Sequence, residues 1–199
     1  MAREIGSKCK LCRREQTKLF LKGERCYTDK CSLSRRQSLP GKSTAFMPRM
    51  SNYAVRLREK QKVKRMYGIT ERQMKNYFKK AAESGGDKGL KLLQYLEMRL
   101  DNVVYLLGLA PSRASARQLV SHGKIKVSGR KVRVPSYIVT VGETIEVSDS
   151  KFSRGAAPSV KPPKWLKKSS KGGEVTSEPT RDMMDEEIKE YLIIEYYSR

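Results

Sequence analysis

The sequence predicts an α+β protein in which a cysteine-rich N-terminus and a helical domain are interrupted by a small module of two helices and a twisted sheet. Three observations support this fold class. Two close cysteine pairs lie near the N-terminus, apolar residues recur at spacings of three and four through the middle, and a later stretch alternates apolar and basic residues. These patterns are typical of a metal-bound knuckle, of helices and of half-buried strands, respectively.

The four cysteines form two close pairs, Cys9-x2-Cys12 and Cys26-x4-Cys31. Two such pairs joined by a short loop are typical of a tetrahedral site in which four thiolates hold Zn²⁺. Disulfides and reactive thiols are the alternatives. A reducing compartment disfavours the first, and the lack of a thioredoxin-like pattern disfavours the second. The sequence therefore predicts one structural zinc ion in a zinc-knuckle N-terminus, with His122 interpreted as a helix-end polar residue rather than a ligand.

The charge of the chain favours a polyanionic partner. Lys and Arg number 43 against 21 Asp and Glu, which gives a net charge of +22. Residues 1–80 hold 23 basic and 6 acidic residues, whereas residues 174–199 hold 3 and 8, so we expect the polyanion to meet the earlier part of the chain. No apolar run is long enough to span a membrane, and no signal peptide precedes the cysteines. We therefore expect a cytoplasmic protein with no membrane partner and no small-molecule substrate.

A basic helix is predicted to begin near Ser51 or Asn52 and to run to about Tyr67, where Gly68 ends it. Its cations nearly encircle it, and Glu59 is its only acidic residue. A solvated helix would need more ion pairs between successive turns, so the pattern favours a helix that faces RNA.

Two further helices are predicted to build the apolar core. A capping box at Thr70 and Gln73 starts one that reaches about Glu83. The other is predicted as one continuous helix from Asp87 to Leu107, because leucines and valines recur there at spacings of three and four. This second helix has the strongest apolar periodicity in the chain, so we expect it to contribute most to the core.

The module is predicted directly after these helices. A helix capped by Ser112 and ended by Gly123 precedes a strand in which Ile125 and Val127 alternate with lysines. A turn at 128–130 then reverses the chain. The remaining strands are predicted over residues 130–134, 137–141 and 144–147.

The chain is thus divided into four regions. Residues 151–173 are rich in Pro and Gly and are predicted to be a linker, and the tail at 183–197 is predicted to be a helix, with a strand as second choice. The regions are 1–45 (four-cysteine zinc knuckle and basic arm), 46–98 (helical domain), 99–160 (helix-hairpin RNA-binding module) and 161–199 (linker and C-terminal segment returning to the helical domain).

The order of these features resembles the bacterial small-subunit ribosomal protein four family over essentially the whole chain, and specifically its four-cysteine, zinc-containing variety. The family is also similar in having a helical domain interrupted by the module. The stretches that carry the resemblance most closely are Gly41-Lys42, Arg99-Leu-Asp-Asn-Val-Val-Tyr105 and Tyr197-Ser-Arg199.

The resemblance implies a structural constituent of the small ribosomal subunit. It implies a primary binder of 16S-type ribosomal RNA at a junction in the 5′ domain, which nucleates assembly of the body and influences translational accuracy. It also implies contacts with ribosomal protein five and other small-subunit proteins. The expected location is the cytoplasmic ribosome. An organellar ribosome is the alternative, although no transit peptide is seen.

The residues expected to contact RNA are cations that neutralise phosphates, with a few polar or aromatic neighbours, because folded RNA is read mainly through its shape and backbone. Tyr53 is included as a base-stacking candidate, with core packing as its alternative. The full set is Arg3, Lys8, Lys10, Arg13, Arg14, Arg35, Arg36, Lys42, Arg49, Tyr53, Arg56, Arg58, Lys62, Arg65, Arg113, Arg117, Gln118, His122, Lys124, Lys126, Arg130 and Lys131.

Two other classes of function are compatible with parts of the pattern. Pseudouridine synthases carry a similar module, and Asp101 in Arg99-Leu-Asp resembles their nucleophile. However, no catalytic domain follows, and Asp101 is more simply interpreted as a helix-surface residue, so we expect no enzyme. A free-standing RNA-binding regulator, such as a translational repressor, would use the same module and is the alternative to a ribosomal protein.

Overall fold

The computed structural model describes residues 6–41, 49–148, 161–184 and 187–198. The chain divides into two compact units. The first unit contains Met1–Gly89 and Glu186–Arg199, and the second contains Leu90–Asp185. The segment at 186–199 therefore belongs with the N-terminal part of the chain, and the module lies in the second unit.

The first unit is helical, and its two longest helices begin where the sequence predicts. Ser51 caps one by accepting a hydrogen bond from the Ala54 amide, and Thr70 and Gln73 form a reciprocal capping box on the next. The elements are α1 (Lys8–Glu15), a 3-10 turn (Gly23–Cys26), α2 (Ser32–Arg35), α3 (Asn52–Met66), α4 (Glu71–Glu83) and α8 (Glu190–Tyr197).

The C-terminal helix α8 packs on α3 and α4 within this unit. The rings of Phe78 and Tyr197 stack with centroids 4.8 Å apart, and Arg56 donates to Glu195 at 2.5 Å. Ile193 of α8 and Val63 of α3 are fully buried. The prediction of a helix rather than a strand for this tail is confirmed, although the helix begins only at Glu190.

The second unit places its helices on an antiparallel sheet. Among the described residues the sheet has five strands in the order β2-β1-β3-β5-β4. Its core includes Trp165, Ile125 and Ile145, which are all fully buried. The elements that contribute to this unit are α5 (Lys88–Glu97), α6 (Leu100–Leu106), α7 (Arg113–Ser121), β1 (Ile125–Val127), β2 (Arg130–Val132), β3 (Thr144–Val147), β4 (Leu166–Lys168) and β5 (Gly172–Val175).

The predicted continuous helix from 87 to 107 is wrong, because it is broken between α5 and α6. Arg99 leaves the helix with extended backbone angles and forms an isolated bridge with Ile138. The Leu100 amide donates to the carbonyl of Tyr137, and the Val139 amide donates to that of Met98. These tertiary hydrogen bonds outweigh the local helical periodicity. They also explain why residues 137–141 make only this bridge and no regular strand.

The linker predicted over 151–173 is also wrong where the structure describes it, because β4 and β5 lie there. Trp165 and Leu166 are buried in the core and anchor β4. Glycine permits β5 to approach its neighbours closely, since a Cβ on Gly172 would lie 1.8 Å from the Ile145 carbonyl oxygen. A Cβ on Gly173 would lie 2.4 Å from a methyl group of Leu107. The glycine pair therefore belongs to a packed strand rather than to a loop.

A helix can cross a membrane only if it is both long and apolar. In the described part of the chain, no helix is both long enough and apolar enough to cross a membrane.

Candidate nucleic-acid interface

The four cysteines line one pocket formed by α1, the 3-10 turn and α2. All four thiols are free, so the disulfide alternative does not describe this structure. Backbone groups point at the sulfurs. The Lys22 amide donates to Sγ of Cys26 at 3.4 Å, and the backbone of Leu19 hydrogen-bonds to Cys12. Such donors favour the thiolate form, in opposition to burial, which disfavours it.

The thiols differ in their electrostatic surroundings. Burial raises the pKa of Cys12 and Cys26. At Cys31 burial also acts to raise the pKa, but hydrogen bonds from Ser34 and Leu33 outweigh it and lower the pKa. Among the described residues, no group of three or more Cys, His, Asp or Glu side chains stands in metal-binding geometry. The residue types and the shared pocket fit a zinc site, but the four sulfurs are not positioned to coordinate one metal ion in this structure.

The sequence suggested that the basic helix α3 lacks acidic partners, but the structure shows that it has them. Its six cations are all paired, mainly with acidic residues of other elements. Glu15 of α1 and Glu71 of α4 each receive two of them. The pairs are Arg56–Glu195, Arg58–Glu15, Lys60–Glu71, Lys62–Glu59, Lys64–Glu71 and Arg65–Glu15.

Burial changes the interpretation of α3 further. The side chain of Lys62 is 11% exposed, and its Nζ donates to the Glu187 carbonyl at 2.6 Å and lies 2.8 Å from Glu59. Lys60 is equally enclosed and lies 4.2 Å from the centroid of the Tyr196 ring. Lys62 is therefore largely enclosed and makes structural contacts, and its contact with RNA stays a prediction. RNA binding by Arg56, Arg58 and Arg65 stays a prediction, and these arginines also hold the first unit together.

The β1–β2 hairpin presents three exposed cations, Lys126, Arg130 and Lys131. Lys126 and Lys131 are opposite each other in the strand register, so both side chains lie on the same face. Ile125 and Val127 point to the buried face, which turns the lysines outward. Among the described residues, none of the three cations takes part in an ion pair. Lys126 also lies opposite Glu146 of β3, whereas the register of the described strands places only Lys126 opposite Lys131, so an anion on this face would balance the remaining positive charge.

The two arginines of α7 are anchored to the preceding helix. Nε of Arg113 donates to Oδ1 of Asn102 at 2.7 Å, and its guanidinium lies 4.7 Å from the Tyr105 ring centroid. Nη1 of Arg117 lies 3.8 Å from Oδ2 of Asp101. Both residues are half-buried, and these contacts fix the direction of their side chains.

Asp101 is buried rather than on the helix surface, so that prediction is wrong. Its two oxygens accept from Nε and Nη2 of Arg99 at 3.0 and 2.7 Å, and the Arg99 side chain is 0% exposed. Asn102 beside it donates to Glu97 at 2.8 Å. A buried carboxylate held by an arginine in this way acts as an electrostatic anchor for α6 and α7.

The structure distributes the remaining predicted residues over both units. Tyr53 is 56% exposed, with its ring centroid 5.8 Å from that of Tyr196, so it is not a core residue. Arg3 and Lys42 lie outside the described residues. The exposed predicted residues are Lys10, Arg14, Arg35, Arg36, Arg49, Gln118 and His122, and the half-buried ones are Lys8, Arg13 and Lys124.

Two cations absent from the predicted set join the predicted residues in the first unit. Arg25 and Lys30 are exposed and line a pocket together with Arg13, Arg35 and Arg36. Each immediately precedes a cysteine, and that adjacency was the available sequence signal. The chain around Cys26 and Cys31 places Arg25 and Lys30 in the same pocket as Arg13 of α1.

Comparison with known proteins assigns the family. The family described as "Ribosomal protein S4/S9 N-terminal domain" matches residues 3–97, and "S4 domain" matches residues 98–145. The "Small ribosomal subunit protein uS4" of Caldicellulosiruptor bescii is 49% identical over 208 residues, covering 100% of both chains. The protein of the same name from Halothermothrix orenii is 50% identical over 208 residues, again covering 100% of each chain. The chain belongs to the uS4 family.

Membership of the uS4 family confirms the family resemblance and supports an RNA-binding structural protein rather than an enzyme. The two matched regions meet between residues 97 and 98, next to the break between α5 and α6. The matched S4 domain contains α6, α7 and the hairpin, so the cations of the hairpin and the arginines of α7 lie in this domain. Strands β4 and β5 follow it in the chain.

Proposed function

We propose that this chain is a structural component of the small ribosomal subunit and binds its ribosomal RNA. The observation that carries this proposal is full-length similarity, at 48–50% identity, to small ribosomal subunit proteins. Exposed cations in both units provide the means of binding phosphates. A free-standing regulator is the less favoured alternative, because the similarity extends over both units rather than over the S4 domain alone.

We further propose that the target is a helical junction in the 5′ domain of 16S-type RNA. Cations on separate elements, in the knuckle and in the hairpin, suit a site where several RNA helices converge. By holding such a junction the chain would nucleate assembly of the subunit body and influence translational accuracy. The working location of the protein is then the ribosome in the cytoplasm.

Binding follows from the geometry of the cations. Lys126 and Lys131 project from one face of a short hairpin whose other face is buried, and Arg130 is exposed beside the turn, so the backbone that carries these cations is already ordered when they meet phosphates. The arginines of α7 are oriented by Asp101 and Asn102. Each phosphate neutralised releases counterions, which makes affinity strongly dependent on salt. The paired cations of α3 also supply the frame of the first unit.

The proposal includes protein partners, namely ribosomal protein five and other small-subunit proteins. Its support is the uneven charge of the chain, because residues 174–199 are acidic while the rest is basic. Exposed carboxylates such as Glu174 and Glu178 would repel RNA and suit a basic protein neighbour.

We propose that Cys9, Cys12, Cys26 and Cys31 together hold one Zn²⁺. Zinc bound by four thiolates would tie α1 to the turns at 26–31 and supply folding free energy, on the order of 10 kcal/mol for structural sites. The first unit has few large apolar residues in this part, so such a constraint would contribute much of its order. Metal analysis of the purified chain by mass spectrometry tests this. One zinc per chain, lost in the Cys26→Ser variant, supports the site, and four reactive thiols without zinc contradict it.

RNA crosslinking in cells tests the proposed function as a whole. The chain is expected to crosslink to small-subunit ribosomal RNA, at nucleotides of the 5′ domain, and to co-sediment with small subunits at moderate salt. Crosslinks to messenger RNA or transfer RNA, with no co-sedimentation, would support the regulator instead.

A further inference from the structure

We infer that the N-terminal helices hold a specific site for a backbone phosphate of RNA. The site, called here the arginine pocket, rests on the proposed function and deepens it. It encloses about 220 Å³, below the roughly 300–1,000 Å³ that is common for small-molecule sites. It is lined by Arg13, Arg25, Lys30, Ser32, Arg35 and Arg36.

The lining of the pocket is positively charged and contains no acidic residue, although Glu24 and Asp29 adjoin Arg25 and Lys30 in the sequence. Five of its six lining residues are cationic, and none is Asp or Glu. Within the described ranges, none of these five takes part in an ion pair, in contrast to the six cations of α3. Both sets lie in the same unit, which has acidic residues available. Five cations left to repel one another around one concavity are best explained by an anion that binds there.

The walls of the pocket are held in place by side-chain hydrogen bonds. Arg13 of α1 donates through Nε to the Ser38 carbonyl at 2.9 Å and through Nη2 to the Leu39 carbonyl at 3.1 Å. Gln16 donates to the Gln37 carbonyl at 2.9 Å. These contacts fasten the segment after α2 onto α1, although the two are more than twenty residues apart in the sequence. Two of the segments that form the pocket are therefore joined before any ligand arrives, which reduces the entropic cost of binding.

The chemistry of the lining favours phosphate. Arginine guanidiniums form paired hydrogen bonds with phosphate oxygens, and the Ser32 hydroxyl adds a neutral donor. The lining is cationic and holds no aromatic side chain on which a base could stack, so the pocket would fix the backbone position rather than read the sequence. An acidic protein segment is the competing ligand, and the experiment below separates the two.

The test uses the full-length chain and three variants. The pocket variant combines Arg25→Gln, Lys30→Gln and Arg35→Gln, and it spares Arg13 because Arg13 joins the walls. A charge-matched control combines Arg72→Gln, Lys75→Gln and Lys80→Gln, which are exposed on α4 of the same unit. A conservative variant, Arg25→Lys with Arg35→Lys, keeps the charge, and a far-ultraviolet circular dichroism spectrum of each variant verifies that its fold is intact.

The measurement is affinity for small-subunit ribosomal RNA as a function of salt. Removing the phosphate contact that the pocket provides should flatten the plot of log K against log salt by about 1 and weaken binding about 10-fold at low salt. The control and the conservative variant should both keep the wild-type slope. Phosphate-ethylation interference should reveal one or two RNA positions that matter to the wild type and no longer matter to the pocket variant.

Two outcomes would overturn the inference. A pocket variant with the slope and interference pattern of the wild type would show that RNA phosphate does not occupy the pocket, and would leave an acidic protein segment as its ligand. Binding of inorganic phosphate or pyrophosphate at the pocket, with RNA affinity unchanged in the variant, would show a site for free anions only. Failure of the wild-type chain to bind ribosomal RNA would instead overturn the proposed function, so the two failures are distinguishable.

Discussion

At the scale of single residues, Asp101 shows how a charged group can be structural in a chain so rich in charge. Its carboxylate is almost fully buried, holds Arg99 through two hydrogen bonds and lies 3.8 Å from Arg117. Removing one partner of a buried ion pair leaves the other charge uncompensated, which is costlier than losing a surface pair. Asp101 therefore orients Arg117, an arginine predicted to contact RNA, through the same contacts that hold α6 and α7.

The variant Asp101→Asn should consequently destabilise the second unit by about 3 kcal/mol or more, because it leaves the buried Arg99 charge without a partner. Trp165 is the only tryptophan in the chain and is buried in that unit, so urea unfolding followed by its fluorescence reports the change. Glu146→Gln, at an exposed strand position, is the matched control and should change stability by about 0.5 kcal/mol or less. Equal stability of the two variants would contradict the anchoring role.

The same contacts affect how RNA binding is best tested. Reversing the charge of Arg113 or Arg117 would place a carboxylate beside Asn102 or Asp101 and disturb the fold. The hairpin offers a cleaner test. Changing Lys126, Arg130 and Lys131 to Gln should weaken binding to ribosomal RNA roughly 10-fold or more at low salt, because three exposed cations are lost.

Gel-shift titration measures that affinity, and a far-ultraviolet circular dichroism spectrum like that of the wild type verifies the fold. Lys161, Lys164 and Lys167 are exposed cations of the same unit, and the triple change of these to Gln is the charge-matched control. If the hairpin variant and its control bind equally well, the hairpin is not a phosphate surface.

At the scale of elements, the packing of α8 on α3 and α4, called the joint here, depends on the ionisation of Glu71. Burial alone would raise the pKa of Glu71, but hydrogen bonds from Lys60, Lys64 and Tyr197 outweigh it, and the net pKa is lowered. A carboxyl whose pKa is lower in the folded state adds stability above its ordinary pKa, and that stability is lost as the pH falls through the folded value. The joint should therefore loosen in acid.

Hydrogen–deuterium exchange of α4 and α8, measured from pH 7 down to about pH 3, tests this expectation. Protection of the two helices should fall below pH 4.5, the ordinary pKa of a glutamate, and Glu71→Gln should remove part of that pH dependence. Glu83→Gln is the control, because Glu83 lies on the same helix with an exposed side chain 3.8 Å from Lys79. An identical pH dependence in both variants would show that Glu71 does not control the joint.

The elements also show what could be predicted from the sequence. Helix starts at Ser51 and Thr70 were predicted correctly because capping is decided by neighbouring residues. The break at Arg99 was missed because its bridge partner, Ile138, lies about forty residues away. For the same reason α3 looked unpaired, since its partners Glu15 and Glu195 are remote in the sequence. Local signals decide helix ends, and tertiary contacts decide which charges remain available.

At the scale of the whole molecule, the cations that the structure describes fall into two groups: those paired with acidic residues within the fold, and those left without such a partner. The cations of α3 are paired within the first unit, whereas the arginine pocket and the hairpin present cations with no ion-pair partner among the described residues. The net charge of +22 therefore overstates the number of phosphate contacts. The sequence predicted the family and the polyanionic partner, because overall charge and motif order are visible there. It could not show which cations are paired with acidic residues in the folded chain.

The two units should respond separately to loss of zinc. Chelation is expected to expose the amides of residues 6–41 to hydrogen exchange, because the proposed thiolate site constrains that part of the first unit. Trp165 fluorescence should not change, since the second unit contains none of the cysteines. Mass spectrometry of exchanged peptides measures both regions at once. A uniform response of the whole chain, or none at residues 6–41, would contradict a structural zinc site in the knuckle.

The most direct test of the central claim is equilibrium binding of the full-length chain to purified small-subunit ribosomal RNA, with large-subunit ribosomal RNA as competitor, at physiological salt. A structural protein of the small subunit should bind its own RNA saturably and at least ~1,000-fold more tightly than the competitor, in line with the usual gap between specific and non-specific binding. Equal affinity for the two RNAs would mean that the positive charge alone drives binding, and it would contradict the proposed function.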